Sequence, residues 1–434
     1  MPKIAFMGAG STIFAKNILG DCMLADPLRD SHVALYDIDP ERLGESQRML
    51  ENLNSHINAG RATFSAHLGV ENRKRALEDA DYVVNAIQVG GYKPSTVIDF
   101  EVPKKYGLGQ TIADTLGIGG IFRALRTIPV VLDFCRDMEE VCPRAWFLNY
   151  TNPMAMITTA ILRGSAIRAV GLCHSVPGLA GGLLESLGMR DKVQHLTWQV
   201  AGINHQAWLL EIKDGDRDLY PEIKQRAAAV AQRSVRLDMM LRLGYYMTEG
   251  DLHAAEYVPW FIKSGRTDLL ETYQIVLDEY LRRCEVQIKG WNEQRDEVVR
   301  NRQIVHTHSG EYGARIMEAI GNDGPIRIHG NVMNHDLITN LPRNACVEVP
   351  CLVDQTGISP CHVGDLPEGC AAVNRTNINV QILAVEAALT ARKDLVYQAA
   401  MLDPHTGGEL SIDEIVNLCD DMFEAHGDMI PEMS

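Results

Sequence analysis

Over the first 195 residues the chain alternates short apolar runs with stretches whose apolar positions recur at helical spacing. Residues 4–7 form an apolar run ending in Gly8-Ala9-Gly10-Ser11, a helix-compatible stretch follows to Leu24, and a second run, 33–36, ends at Asp37. The alternation continues through runs at 82–87, 146–150 and 169–173, with a helical stretch at 122–139. This rhythm predicts an α/β fold built on a doubly wound parallel sheet. After residue 195 it changes: strand-like 196–203 and 207–212, helical 236–244 and 277–291, strand-like 326–332 and 346–353, then helical 379–400. We read residues 196–434 as a second, α+β catalytic half packed on residues 1–195. No Pro/Gly/Ser linker separates the two, so the active site is expected between them.

In such sheets ligands collect beyond the carboxyl ends of the strands, here 88–92, 149–153 and 173–175. Glycines at a strand end let the backbone approach a pyrophosphate, and the next helix offers it unpaired N–H groups. Asp37, 27 residues after Gly10, stands near the spacing expected of the acid that binds an adenosine ribose. The third glycine of the usual motif is replaced by Ile13. The reading is a Rossmann-like dinucleotide site made by Gly8, Gly10, Ser11, Thr12, Ile13 and Asp37, set against a plain tight turn.

Cys173 and His205 lie at predicted strand ends on the side of that site, together with Asn152, His174 and Asn204. Read singly, they are an inert buried thiol and satisfied polar groups; read together, they offer a metal site. Asp114-Thr115 with Gly117, Gly119 and Gly120 reads as a flexible polar loop ahead of Arg123 and Arg126. Either it folds over a polar substrate, or it is a helix start with solvated arginines. Tyr246, His253 and Tyr257 stand among acids in a stretch that offers a phenol or imidazole for proton transfer, though a tyrosine there is more often core.

A net charge of −16 argues against phosphate backbones and anionic membranes as partners and leaves a small neutral ligand open. The N-terminus lacks a signal-peptide pattern, and no apolar stretch approaches membrane-span length, so a cytoplasmic protein is expected. Ten cysteines without a C-x-x-C fit reduced thiols. Cys346, Cys351, Cys361 and Cys370 cluster but lack the close pairs of structural zinc sites.

Taken in order, several stretches resemble glycoside hydrolase family 4 along nearly the whole chain. They are Gly8 to Phe14, Gln110 to Gly120 with Arg123 to Pro129, Leu148 to Met154, Gly171 to Val176, and Gly202 to His205. Later matches are Gly330-Asn331-Val332, Asn340-Leu341-Pro342, Thr376 to Asn379, and Ala400 to Thr406. The resemblance implies NAD and a divalent metal, usually Mn2+, the metal held by Cys173 and His205. It implies hydrolysis of a small-molecule α-galactoside through oxidation at C3 and proton removal from C2, with NAD regenerated, an exception to the two-carboxylate scheme. Asn152, Asn204, Asp114 and Arg123 would bind the sugar. A thiolate is a soft ligand for a hard ion, so modest affinity and oxidation sensitivity are expected.

In phosphoglucosidases of the family an aspartate proposed as general acid follows the cysteine, whereas here His174 stands in that place. The proton-abstracting tyrosine falls between Tyr245 and Tyr257, with Tyr257, Tyr246 and His253 ranked in that order. A homo-oligomer, dimer or tetramer, is expected. The alternatives are an α-galacturonidase of the same family, less readily a 6-phospho-glucosidase, an NAD-dependent dehydrogenase of a sugar or hydroxy acid, and a nucleotide-sensing binding protein without catalysis.

Overall fold

The opening run is a strand buried on both faces: in β1 (Lys3–Met7), Ile4 and Phe6 pack into one apolar cluster while Ala5 and Met7 pack into another. The computed structural model describes residues 1–230, 233–322 and 324–434. Strands β2 (His32–Asp37), β3 (Thr63–Leu68), β4 (Tyr82–Asn85), β5 (Trp146–Asn149) and β6 (Arg168–Gly171) join β1 in parallel, in the order β3-β2-β1-β4-β5-β6. This is the dinucleotide-binding order, with its switch point between β1 and β4.

The later strands are β7 (Leu196–Ile203), β8 (Gln206–Asp214), β9 (Arg217–Asp218), β10 (Tyr246–Met247), β11 (Ile326–Met333), β12 (Cys346–Asp354) and β13 (Gly357–Pro360). They extend the same sheet in antiparallel fashion, in the order β6-β11-β12-β7-β8-β10, with β9 beside β8 and β13 beside β12. The seam is narrow. Asn331 of β11 opposes Gly171 of β6, and Glu348 of β12 opposes Gly202 of β7. A single sheet thus carries the ends of β6 and β7 toward one site.

Helices cover both faces. Thr12–Leu24 and Pro40–Ile57 pack on one, the latter started by Asp39, which accepts from Glu41 N–H and Arg42 N–H, and by Pro40 at its first position. Gly117–Val141, Met154–Gly164, Glu368–Thr390 and Ile412–His426 pack on the other, the last opened by a Ser411/Glu414 capping box. Among the described residues, no helix is long and apolar enough to cross a membrane.

Two expectations change. The helical stretch at 379–400 is two helices, because Ala391 takes a left-handed φ of 53° between Glu368–Thr390 and Lys393–Leu402. The stretch at 110–120 is not a flexible loop with solvated arginines. Gly119 and Gly120 lie in the first turn of Gly117–Val141, where an added Cβ would stand 2.7 Å from the Ala113 carbonyl oxygen or the Thr115 backbone, so they allow close packing rather than motion.

Arg126 is fully buried and forks onto Asp99 at 3.0 and 2.6 Å, and His426 Nε2 lies 3.0 Å from the same carboxylate. Asp99→Ala would leave the guanidinium buried and unpaired. It is expected to lower unfolding stability by about 3–5 kcal/mol, measured by urea titration; an unchanged midpoint would contradict the assignment.

Candidate active site

At the end of β1, Gly8 takes a left-handed φ of 89° and an added Cβ would stand 2.8 Å from the Ala86 carbonyl oxygen, so the turn is as tight as a strand-to-helix crossing allows. Gly10 N–H donates to Asp37 Oδ2 at 2.6 Å, joining the turn to the end of β2. Ser11 makes no side-chain cap to the following helix, so the N–H groups of its first turn remain for an anion. The Thr12 hydroxyl is engaged by Ser46 at 3.0 Å and Gly10 O at 3.4 Å; what Thr12 can offer is its N–H. Ile13 is half exposed on the helix start. A pyrophosphate fits this cradle by its lack of side chains and its free donors.

Beyond β6 and β7 the structure brings Cys173 and His205 together. Ligand atoms of Cys173, His205 and Glu249 all lie within 4.8 Å of one another, as do those of Asp114, His205 and His253. His205 sits in the tight reversal between β7 and β8 at a left-handed φ of 61°. Its Nδ1 lies 3.0 Å from Thr115 Oγ1 and 3.3 Å from the Tyr257 hydroxyl, and its Nε2 lies 3.5 Å from Glu249 Oε2. The Thr115 hydroxyl donates to Asp114 Oδ1 at 2.7 Å, so His205 Nδ1–H is the donor to Thr115. That fixes the tautomer with the Nε2 lone pair free for a metal.

Asn152 Nδ2 donates to Asp114 Oδ2 at 2.9 Å, and Arg123 Nε donates to the Asn152 carbonyl at 3.3 Å. Arg123 is buried rather than solvated, its guanidinium 5.9 Å from the centre of the Tyr280 ring. Burial alone would push Asp114 up, but His253, Arg123 and His205 hold it well below the usual carboxylate range. Burial pushes the Cys173 thiol and the Tyr257 phenol above their ordinary values. Among the described residues, neither polar side-chain atom of fully buried Asn204 has a hydrogen-bond partner. Groups orphaned in this way are what a polyhydroxylated ligand satisfies.

Other candidates divide. Tyr257 reaches His205, and His253 lies between Asp114, 3.6 Å from its Nε2, and Glu249, 3.7 Å from its Nδ1. Tyr246 is not brought to this cluster: on β10 it packs beside β8, its ring 4.7 Å from the Arg236 guanidinium, in a separate apolar cluster. His174 follows Cys173, but its side chain is 77% exposed and its Nδ1 stands 3.9 Å from Glu311. Among the described residues, Cys346, Cys351, Cys361 and Cys370 form no metal-competent group.

Three acids escaped the sequence reading. Glu249 enters from a left-handed turn at φ 64°. Glu256 accepts from Thr111, Ile112 and Ala113 N–H at 2.9, 3.1 and 3.0 Å, and so fixes the segment that carries Asp114 and Thr115. Glu348, fully buried on β12, is pushed by burial up to about 8 and lies 3.5 Å from Asn331 Nδ2. The acids around His253 and Tyr257 were the only available signal, and sequence separation hid what each touches.

The Family 4 glycosyl hydrolase profile matches residues 3–189, and the profile of that family's C-terminal domain matches residues 200–406. An alpha-galactosidase of Bacillus subtilis (strain 168) is 56% identical across 100% of both chains. An alpha-galactosidase of Rhizobium meliloti (strain 1021) is 35% identical, covering 99% of this chain and 89% of that one. A 6-phospho-alpha-glucosidase from gut microorganisms, solved in complex with NAD and Mn2+, superposes with a TM-score of 0.82 over 100% of both chains at 20% identity, a likeness of fold.

Proposed function

The chain belongs to family 4 of the glycosyl hydrolases, and from that premise we propose that it hydrolyses α-galactosides with NAD and a divalent metal, Mn2+, as resident cofactors. The observation that carries this reading is the convergence of Cys173 and His205 beyond β6 and β7, on the sheet whose β1 turn suits a dinucleotide. The full-length likeness to an alpha-galactosidase supports the choice of sugar. Residues 1–195 supply the nucleotide site, and residues 196–434 bring His205, Glu249 and Tyr257 to the substrate.

When bound, NAD supplies a hydride acceptor and the metal a Lewis acid. Cys173 and His205 hold the metal. Asn204 and Asn152 orient sugar hydroxyls, with Asp114 and Arg123 fixing Asn152 from its amide and carbonyl sides. Tyr257, beside Thr115 and His205, would take the proton from C2 as its phenolate; burial favours the protonated phenol, and the charge of a divalent ion bound at the neighbouring His205 would oppose that. His174, exposed beside Cys173, gives a proton to the leaving oxygen from the exposed side. The same reading places the enzyme in the cytoplasm, since all ten cysteines are free. It also takes the enzyme as a homo-oligomer, dimer or tetramer.

An aryl α-galactoside is expected to be hydrolysed only with NAD, Mn2+ and a reductant present together. Omitting each in turn from a purified preparation tests this. Full turnover after dialysis against chelator and removal of nucleotide would refute it. Turnover of the galacturonide alone would select the α-galacturonidase, and net NADH formation a dehydrogenase.

A further inference from the structure

We propose that Glu249 is a third protein ligand to the divalent metal, an inference that rests on the reading in which Cys173 and His205 hold the ion. The His205 tautomer leaves the Nε2 lone pair facing Glu249 Oε2 at 3.5 Å. Two ligands of one ion stand no further apart than two bond lengths, roughly 4–4.6 Å for bonds of about 2–2.3 Å. Cys173, His205 and Glu249, with their ligand atoms within 4.8 Å of one another, meet that limit after rotamer-scale adjustment.

The chemistry of the donor set points the same way. A thiolate and an imidazole alone suit zinc better than a hard ion; a carboxylate oxygen shifts the set toward Mn2+. Among the described residues, the Glu249 carboxylate makes no close hydrogen bond, His205 Nε2 at 3.5 Å and His253 Nδ1 at 3.7 Å lying at the edge of or beyond hydrogen-bond range. His253 lies between Glu249 and Asp114, its ring 5.0 Å from that of His205. A cavity of about 510 Å³ has Glu249, Gly250 and His253 in its lining, with Tyr273 and Arg283, so the Glu249 side of the cluster borders open space.

The test is a Mn2+ titration of the metal-free full chain under reductant, with free Mn2+ read by its electron paramagnetic resonance signal and NAD affinity measured in parallel. Glu249→Gln is expected to weaken Mn2+ binding by roughly tenfold or more, to weaken Zn2+ binding less, and to leave NAD affinity unchanged. Glu249→Asp, which keeps the carboxylate, should hold Mn2+ more tightly than Glu249→Gln. Wild-type Mn2+ affinity in Glu249→Gln, or equal affinity in the two variants, overturns the proposal. A separate failure is visible in the same experiment: if Cys173→Ser binds Mn2+ as the wild type does, the reading of the metal site itself falls.

Discussion

Cys173→Ser and His205→Ala are each expected to lose turnover by several orders of magnitude while NAD affinity stays near that of the wild type. Serine replaces an ionisable soft donor with a hydroxyl that stays protonated, and alanine removes Nε2 outright. Either change strips one donor from a small set, and with it both metal affinity and several kcal/mol of stabilisation where negative charge develops on the sugar. His205→Ala carries a further cost, because Thr115 and Tyr257 both stand on Nδ1. The nucleotide is held elsewhere, at the Gly8–Gly10 turn and Asp37 on the ends of β1 and β2. Steady-state turnover across a Mn2+ series, with NAD binding followed by fluorescence, separates the effects. Turnover near wild type at ordinary Mn2+ in either variant would refute the metal assignment.

How far this site could be read in advance depended on the range over which each signal acts. The glycine turn and Asp37 were legible because a strand, a tight turn and a helix start are local events, and each leaves its mark in a short stretch of chain. Cys173 and His205 were legible only as strand ends, since the sequence places a strand but not its neighbour; the family resemblance had to supply the pairing. Glu249, Glu256 and Glu348 were hidden for the same reason. Glu256 matters through three N–H groups more than 140 residues away, a bond set that no spacing rule reveals. The glycines at 117–120 misled in the opposite direction, because Gly119 and Gly120 serve close packing against Ala113 and Thr115. Strand β3 was missed because, at the sheet edge, it mixes exposed and half-buried positions where its neighbours carry solid apolar runs. Tyr246 and Tyr257 lie only 11 residues apart, yet β10 carries the first into the packing beside Arg236 while the end of helix Asp251–Glu256 carries the second to His205.

That divergence makes the proton step testable residue by residue. Tyr257→Phe removes one oxygen from a fully buried ring and leaves His205 Nδ1 its bond to Thr115, so Mn2+ and NAD should still bind. Turnover is expected to fall roughly 10²–10⁴-fold, the usual worth of a positioned acid or base, whereas Tyr246→Phe should stay near wild type. The wild-type reaction run in deuterated water should place deuterium at C2 of the released galactose, provided the phenol exchanges its proton with solvent before returning it. Substrate deuterated at C2 should turn over more slowly. Proton loss at C2 also lowers the demand for oxocarbenium character, so poor leaving groups should be penalised less than in two-carboxylate enzymes. Nuclear magnetic resonance and mass spectrometry of the product read the label directly. A C2 carrying only protium, with no isotope effect from C2- or C3-deuterated substrate, would mean that Tyr257 abstracts nothing and that cleavage proceeds by ordinary acid–base hydrolysis.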